Sequence, residues 1–189
     1  MFLLPFRIEW RVRISEEAGT SRASGCDNTG VILLLQRVSR AAVRVSGETV
    51  GEIGRGLLAF ACVEPGDGPD AMDDAARKTV ELRVFEDDQG KMNLDVTQVG
   101  GAVLAVSQFT LAADLSRGRR PGFEGAARPD EAKPLFGRYL AVLRASGVAV
   151  ATGSFGASME VELVNDGPAT FSWRTKRREV GTEAVRDRH

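Results

Sequence analysis

Three continuous apolar runs constrain the fold more than any other feature of the sequence. They begin at Val31, Leu57 and Ala102, and each is about as long as a β-strand. A strand that lacks polar alternation is typical of a sheet covered on both faces, so we expect three buried strands. The third run, residues 102–111, changes at its end to small polar side chains. Functional sites often lie at such strand ends.

Shorter strand-like segments surround these runs. Residues 42–45 and 49–53 flank a Ser-Gly-Glu connection, which predicts a β-hairpin. Residues 148–152 and 159–164 are expected to supply the closing strands. The next residues, Asn-Asp-Gly-Pro at 165–168, precede another strand-like run. Because these residue types favour tight turns, the local pattern indicates a surface hairpin turn.

Two helices are predicted from apolar residues at three- and four-residue spacing. The first follows Asp70, a candidate N-cap, and its inward face is formed by Met72, Ala75, Ala76 and Val80. The second has a longer stripe, formed by Ala132, Leu135, Phe136, Tyr139, Leu140 and Leu143, and ends near Gly147. The sequence therefore predicts an α+β fold of largely antiparallel sheets, curled into a barrel-like core with two amphipathic helices.

The 189-residue chain, 43% hydrophobic, is long enough for one sizeable core. Residues 1–30 mix charge with Ser, Thr and Gly, and we expect a poorly ordered N-terminal extension that is neither a signal peptide nor a membrane span. The folded domain is expected over residues 31–173. Residues 174–189 have no core-forming pattern and are expected to be a charged tail.

Charge and residue usage exclude several functional classes. The net charge is -1, so a nucleic-acid role would depend on a local patch. Two cysteines, Cys26 and Cys62, are too few for a disulfide framework, which favours a cytoplasmic location. The only histidine is His189, the last residue. This excludes Ser-His-Asp and Cys-His catalysis and most zinc sites, and we expect no metal and no cofactor.

The remaining chemistry must come from hydroxyls, carboxylates or backbone groups. Ser107 and Thr110 are candidate nucleophiles, but neither has a visible base, so they are more suitable as hydrogen-bond donors and positioning groups. Spacing singles out no pair of aspartates as acid and base. The Gly- and Arg-rich segment 112–128 has the composition of a loop that meets phosphates, or of a solvated loop.

Two motifs carry a resemblance to a known family. Residues 107–111 (Ser-Gln-Phe-Thr-Leu) and 165–170 (Asn-Asp-Gly-Pro-Ala-Thr) resemble the two signature motifs of the D-aminoacyl-tRNA deacylases. Residues 35–38, 90–93 and 117–121 agree with the same family, so the resemblance extends from Val31 to Trp173. It implies a metal-free homodimer that hydrolyses the ester between a D-amino acid, or glycine, and the 3′-terminal adenosine of tRNA. It implies no DNA or membrane partner.

The resemblance also implies roles for individual residues. The reaction centre would be lined by Ser107, Gln108, Phe109 and Thr110, with Met159 on the pocket wall. The peptide bond between Gly167 and Pro168 would be cis, as it is in the family, and Asn165 just before them would take part in substrate binding and chiral selectivity. Gly167 and Pro168 would enter the partner subunit's active site as a chirality filter that Arg37 holds in orientation. Backbone N–H groups around residues 108–110 would stabilise the oxyanion, and the ribose 2′-hydroxyl of the tRNA would help to activate water.

Two residues depart from the family pattern. Ala169 replaces a larger apolar residue, and Gly122 stands where serine is common. Val31 occupies the position of the usual initiator methionine, which raises the hypothesis that translation starts there. Two other classes of function stay open. One is a catalytically silent RNA- or nucleotide-binding module with the same fold, and the other is a purely structural dimer.

Overall fold

A computed structural model describes residues 30–116 and 118–175 of the chain. The predictions for the N-terminal extension and for the end of the charged tail lie outside these residues. The elements, in chain order, are β1 (Ile32–Val45), β2 (Glu48–Ile53), β3 (Gly56–Cys62), α1 (Pro69–Glu81), β4 (Phe85–Glu86), β5 (Met92–Leu94), β6 (Ala102–Ser107), a 3-10 helix (Phe109–Ala112), α2 (Pro129–Ala145), β7 (Ala149–Thr152) and β8 (Glu160–Arg174).

The main sheet is mixed. Its order is β2-β1-β3-β6-β7. β3 and β2 pair with successive parts of β1, residues 32–38 and 41–45, and β8 pairs along the opposite edge of β1 over residues 32–44. The long strand β1 is antiparallel to β2, β3 and β8. By contrast, β3 and β6 are parallel, as are β6 and β7. Parallel neighbours require crossover connections, and here α1 and α2 lie in those crossovers. Within the main sheet, the predicted antiparallel character therefore holds only for β1 and its partners. A separate two-stranded sheet, formed by β4 and β5, is also antiparallel.

The sheet curls until its two ends approach each other. Gly51 in β2 lies so close to β7 that a Cβ atom there would be 2.5 Å from the carbonyl oxygen of Thr152. Glycine at this position permits the close approach of the two backbones. The result is a nearly closed barrel with two helices, which confirms the predicted α+β class.

Side chains on alternate residues of the central strands enter two different cores. In β6, Val103 and Ala105 pack against the helices, whereas Leu104 and Val106 pack inside the barrel. β3 alternates in the same way, with Leu57 on the helix side and Leu58 inside the barrel. Because successive side chains of a strand point to opposite faces, a continuous apolar run is buried only where both faces of the sheet are covered. The sequence prediction of burial on both faces is confirmed.

Both predicted helices are present, but the start of the first differs from the prediction. Its N-cap is Gly68, Pro69 takes the first helical position, and Asp70 lies within the first turn without capping it. Pro69 fixes the start, because its φ suits the first helical residue and its missing N–H needs no acceptor there. The two helices pack together, and the Tyr139 hydroxyl of α2 hydrogen-bonds that of Thr79 of α1 at 2.8 Å.

One predicted hairpin is confirmed and the other is wrong. β1 and β2 join through Ser46 and Gly47, both with positive φ, as a tight hairpin requires. The predicted turn at 165–168 does not reverse the chain. Asn165 pairs with Val38 and Thr170 pairs with Gln36, so β8 stays on β1 before and after the turn residues. The Asn-Asp-Gly-Pro chemistry produces a protrusion from one strand, because pairing resumes on the same neighbour.

Candidate active site

A cavity of about 610 Å³ lies where β6 ends and α2 begins. Four of the predicted site residues line it, namely Ser107, Gln108, Phe109 and Met159. Cys62, Phe123, Arg128 and Phe155 also line it, together with smaller apolar residues. Neither a carboxylate nor a histidine is present among the described lining residues.

Strand pairing determines which backbone groups face the cavity. The N–H of Gln108 donates to the carbonyl oxygen of Ala61 at 2.9 Å and so extends the β3–β6 pairing. This N–H is therefore not free for an oxyanion, contrary to the wider range expected from the sequence. The chain then enters the 3-10 helix, whose first N–H groups have no acceptor within the helix. Among the described residues, the N–H groups of Phe109 and Thr110 have no hydrogen-bond acceptor.

The side chains at this strand end are not set up as nucleophiles. The Thr110 hydroxyl accepts a hydrogen bond from the Gln108 amide at 2.5 Å, and Ser107 has no side-chain partner among the described residues. An unactivated hydroxyl is a weak nucleophile at neutral pH. Burial, reinforced by the nearby Glu64 carboxylate, raises the pKa of the Cys62 thiol to about 11. The thiol is therefore protonated at neutral pH and is an equally poor nucleophile.

The protrusion of β8 is closed at its base by the Asn165 side chain. Its Oδ1 accepts from the Ala169 N–H at 2.9 Å, and its Nδ2 donates to the Ala169 carbonyl oxygen at 3.2 Å. Between these anchors, Gly167 and Pro168 are exposed and are joined by a cis peptide bond, whereas Ala169 is only 3% exposed. The expected cis geometry is confirmed. Ala169, one of the two residues that depart from the family pattern, is therefore buried at the base of the protrusion.

Arg37 lies on β1 opposite this protrusion. Its side chain is buried, and its Nε donates to the Asp166 carbonyl oxygen at 2.8 Å. Its Nη1 donates to the Val84 carbonyl oxygen at 2.6 Å. The Asp166 carboxylate at 3.3 Å and the Glu86 carboxylate at 3.9 Å balance the charge. The guanidinium group of arginine suits several simultaneous contacts, because it is planar and holds its donors in fixed directions.

The predicted residues thus fall into two groups within one chain. The first lines the cavity. The second consists of Arg37, Asn165, Gly167 and Pro168, none of which lines the cavity. Thr110 belongs to neither group: it follows Phe109 beside the cavity, and its side chain is hydrogen-bonded to that of Gln108. Sequence reasoning missed Phe155, which packs against Phe136 of α2 at 6.2 Å between ring centroids. Its only signal in the sequence was its position between two glycines of a loop, Gly153 and Gly156.

Within the described residues, there is no helix with the length and apolar character to span a membrane. The same part of the chain holds no cluster of His, Cys, Asp and Glu side chains that is suited to a metal ion.

Comparison with known proteins connects the chain to one family. The family model described as D-Tyr-tRNA(Tyr) deacylase matches residues 34–174. The D-aminoacyl-tRNA deacylase of Shewanella sp. (strain MR-4) is 54% identical over 142 residues, which are 75% of this chain and 98% of that protein. That of Symbiobacterium thermophilum is 57% identical over 138 residues, which are 73% of this chain and 91% of that protein.

Two solved structures have the same fold. One is that of a protein named c-Myc DNA Unwinding Element Binding Protein; it has a TM-score of 0.72 and 34% identity and covers 76% of this chain and 98% of its own. The other, described as a probable eukaryotic D-amino acid tRNA deacylase, has a TM-score of 0.67 and 16% identity. It covers 78% of this chain and 100% of its own.

Proposed function

Because the chain belongs to the D-Tyr-tRNA(Tyr) deacylase family, we propose that it hydrolyses the ester bond of D-aminoacyl-tRNA and releases the free D-amino acid and tRNA. One observation carries the chemistry: the adjacent N–H groups of Phe109 and Thr110 lack acceptors among the described residues, and Phe109 lines the cavity. Two such donors at a strand end are suited to a developing oxyanion.

The reaction proceeds by attack of water on the ester carbonyl. Negative charge develops on the carbonyl oxygen, and the Phe109 and Thr110 N–H groups stabilise it, each contributing about 3 kcal/mol in comparable sites. The cavity supplies no histidine or carboxylate base among its described lining residues. The 2′-hydroxyl of the terminal ribose, which only RNA has, therefore assists the water. The scheme uses no metal ion, no cofactor and no covalent intermediate on Thr110.

Selectivity is assigned to the protrusion at Gly167 and Pro168. Its backbone occupies the side of the α-carbon on which an L side chain would lie, so that L substrates are excluded by steric clash. A D side chain points away and is accepted, and glycine is not rejected because it has no side chain. The anchors at Arg37 and Asn165 support this role, since they hold the backbone on both sides of the exposed residues.

The filter would act on the cavity of a second subunit. Gly167 and Pro168 are exposed and do not line the cavity of their own chain. A homodimer in which each protrusion enters the partner's cavity would bring the two groups of residues together. Such an arrangement makes the site incomplete in a monomer.

The test is hydrolysis by the purified full-length chain. D-Tyr-tRNA should be hydrolysed, Gly-tRNA should be hydrolysed as well, and L-Tyr-tRNA should stay intact under the same conditions. Light scattering on the same sample should give the mass of a dimer. Absence of D-tyrosine release at protein concentrations that bind tRNA would refute the activity. That result, binding without hydrolysis, would favour the catalytically silent RNA-binding module.

A further inference from the structure

A closed, cationic loop directly precedes Phe123, which lines the cavity. Asp114 and Gly122 exchange backbone hydrogen bonds at 2.8 Å and 2.9 Å, which closes the loop between them. Arg119 and Arg120 lie near its tip and are exposed, with no carboxylate within ion-pairing distance among the described residues. By contrast, Arg138 forms two hydrogen bonds with Asp73, at 2.7 Å and 2.8 Å.

The two unpaired arginines of this loop are therefore available to a ligand. Two carboxylates belong to the same loop region. That of Asp114 accepts the Ser116 N–H at 2.8 Å, and that of Glu124 lies against Gly122, where a Cβ atom would be 2.6 Å from it. Neither forms an ion pair with the two arginines, so the tip keeps its positive charge.

Two aromatic rings lie at the base of the loop and at the mouth of the cavity. Phe109 and Phe123 meet edge to face, with 5.2 Å between ring centroids, and both line the cavity. Nevertheless Phe109 is 55% exposed and Phe123 is 41% exposed. Phe123 follows Arg120 by three residues, so an exposed ring and two unpaired arginines lie in one short segment. This combination suits single-stranded nucleic acid, since bases stack on rings and phosphates contact cations.

We propose that Phe123, Arg119 and Arg120 form a subsite for the unpaired nucleotides that precede the terminal aminoacyl-adenosine. The proposal rests on the proposed function, which places that adenosine in the adjacent cavity. The Phe123 ring stacks on a base, and the two guanidinium groups contact the phosphates that follow. The subsite thus reads a single-stranded RNA end, without base-specific hydrogen bonds.

Direct binding tests the subsite without any hydrolysis. The probes are an uncharged acceptor-stem RNA hairpin with a four-nucleotide single-stranded 3′ end and the same hairpin with a blunt end. We expect the full-length protein to bind the tailed RNA at least tenfold more tightly. The double variant Arg119→Gln/Arg120→Gln should lose this preference and reduce the salt slope by about 1.4, since each phosphate contact to a single strand contributes about 0.7. Phe123→Leu, which stays apolar, should weaken tailed binding about tenfold.

Arg144→Gln is the matched control. Arg144 is also exposed and has no ion pair among the described residues, but it lies in the last turn of α2, about 22 Å along the helix from Pro129 at the cavity. This variant should bind both RNAs as the wild type does. Equal wild-type affinity for tailed and blunt RNA, or an unchanged preference in the double arginine variant, would overturn the proposal.

Hydrolysis provides a second, separate readout. The double arginine variant should lose at least ten times more kcat/KM on D-Tyr-tRNA than on D-tyrosyl-adenosine, because D-tyrosyl-adenosine lacks the preceding nucleotides. The loss on D-Tyr-tRNA should appear as a higher KM. Equal losses on both substrates would assign these arginines a merely structural role and overturn the subsite. Failure of the wild type to hydrolyse either substrate would refute the proposed function, and the binding comparison would then decide the subsite alone.

Discussion

Arg37 connects the carbonyl oxygen of Asp166 to that of Val84 through one guanidinium group, with N–O distances of 2.8 Å and 2.6 Å. The first contact fixes the peptide that directly precedes Gly167. The second ties this peptide to the segment in front of β4. The position of the exposed Gly167 and Pro168 therefore depends on a buried arginine on a neighbouring strand, as well as on its own loop.

Arg37→Lys should impair selectivity more than activity. Lysine keeps the charge beside Glu86 and Asp166 but is a point charge that does not replace the planar fork. We expect a stability loss of about 2 kcal/mol, because a hydrogen bond from a charged donor is lost. The ratio of D-Tyr-tRNA to L-Tyr-tRNA hydrolysis should fall at least tenfold, with kcat on the D substrate changing less than about threefold. Denaturant unfolding and single-turnover kinetics provide the two measurements.

Arg40→Lys is the control on the same strand. Arg40 is exposed and pairs with Glu162 at 3.2 Å on the surface, so its replacement should cost less than about 0.5 kcal/mol and leave selectivity unchanged. If Arg37→Lys were as selective as the wild type, the assigned role of Arg37 in positioning the filter would be wrong.

Asn165→Asp tests the anchor at the base of the protrusion. Aspartate still accepts from the Ala169 N–H, but it cannot donate to the Ala169 carbonyl oxygen and places negative charge beside it. We expect a loss of about 1–3 kcal/mol and a weaker rejection of L-Tyr-tRNA at pH 7. Thr170→Val removes only the hydroxyl that Asn165 and Gln36 contact, and serves as the milder comparison. Wild-type selectivity in Asn165→Asp would mean that this anchor does not position the protrusion.

The sequence predicted the strands and helices well where a single periodicity decides the structure. The apolar runs at Leu57 and Ala102 became the buried strands β3 and β6, and the α2 stripe at Phe136, Tyr139 and Leu143 is buried as expected. The parallel pairing of β3 with β6 was not predicted. It depends on the crossover through α1, which is a property of chain connection and not of either run.

The site was predictable only in part, because its critical contacts join distant residues. Local propensity predicted a hairpin turn at residues 165–168. The protrusion forms instead because β8 pairs with β1 on both sides of Arg37, at Val38 before the turn residues and at Gln36 after them. Likewise, no local pattern shows that the Gln108 N–H donates to the carbonyl oxygen of Ala61. Such partners lie far apart in the chain, and tertiary pairing overrides the local preference.

Alkaline pH should destabilise the fold through Cys62. Its pKa rises from an ordinary value of 9.0 to about 11 on folding, mainly because of burial. The protonated thiol is thus favoured in the folded state, so its contribution is complete below pH 9 and is lost as the pH rises towards 11. The slope should be up to about 1.4 kcal/mol per pH unit.

Burial also raises the pKa of Tyr139, which extends the same trend to higher pH. Cys62→Ala should flatten the dependence between pH 9 and pH 11, whatever its effect on stability at pH 7. Denaturant unfolding across this range measures both variants, and an identical slope in wild type and Cys62→Ala would contradict the assignment.

The Phe109 N–H can be removed without disturbing strand pairing, and this makes the oxyanion assignment testable. Phe109 is the first residue of the 3-10 helix, where proline is tolerated because the missing N–H has no acceptor in the helix. Phe109→Pro and Phe109→Ala both lose the ring that meets Phe123, but only the proline variant also loses the N–H. The comparison of the two variants therefore isolates one backbone donor.

Phe109→Pro should have a kcat about 100-fold below that of Phe109→Ala, since removal of one oxyanion donor costs about 3 kcal/mol at the transition state. KM should differ little between the two, because the charge develops only during the reaction. Single-turnover hydrolysis of D-Tyr-tRNA measures the rate, and circular dichroism checks that both variants are folded. Equal kcat values in two folded variants would show that the Phe109 N–H does not stabilise the oxyanion, and the Thr110 N–H or a substrate group would have to take that role.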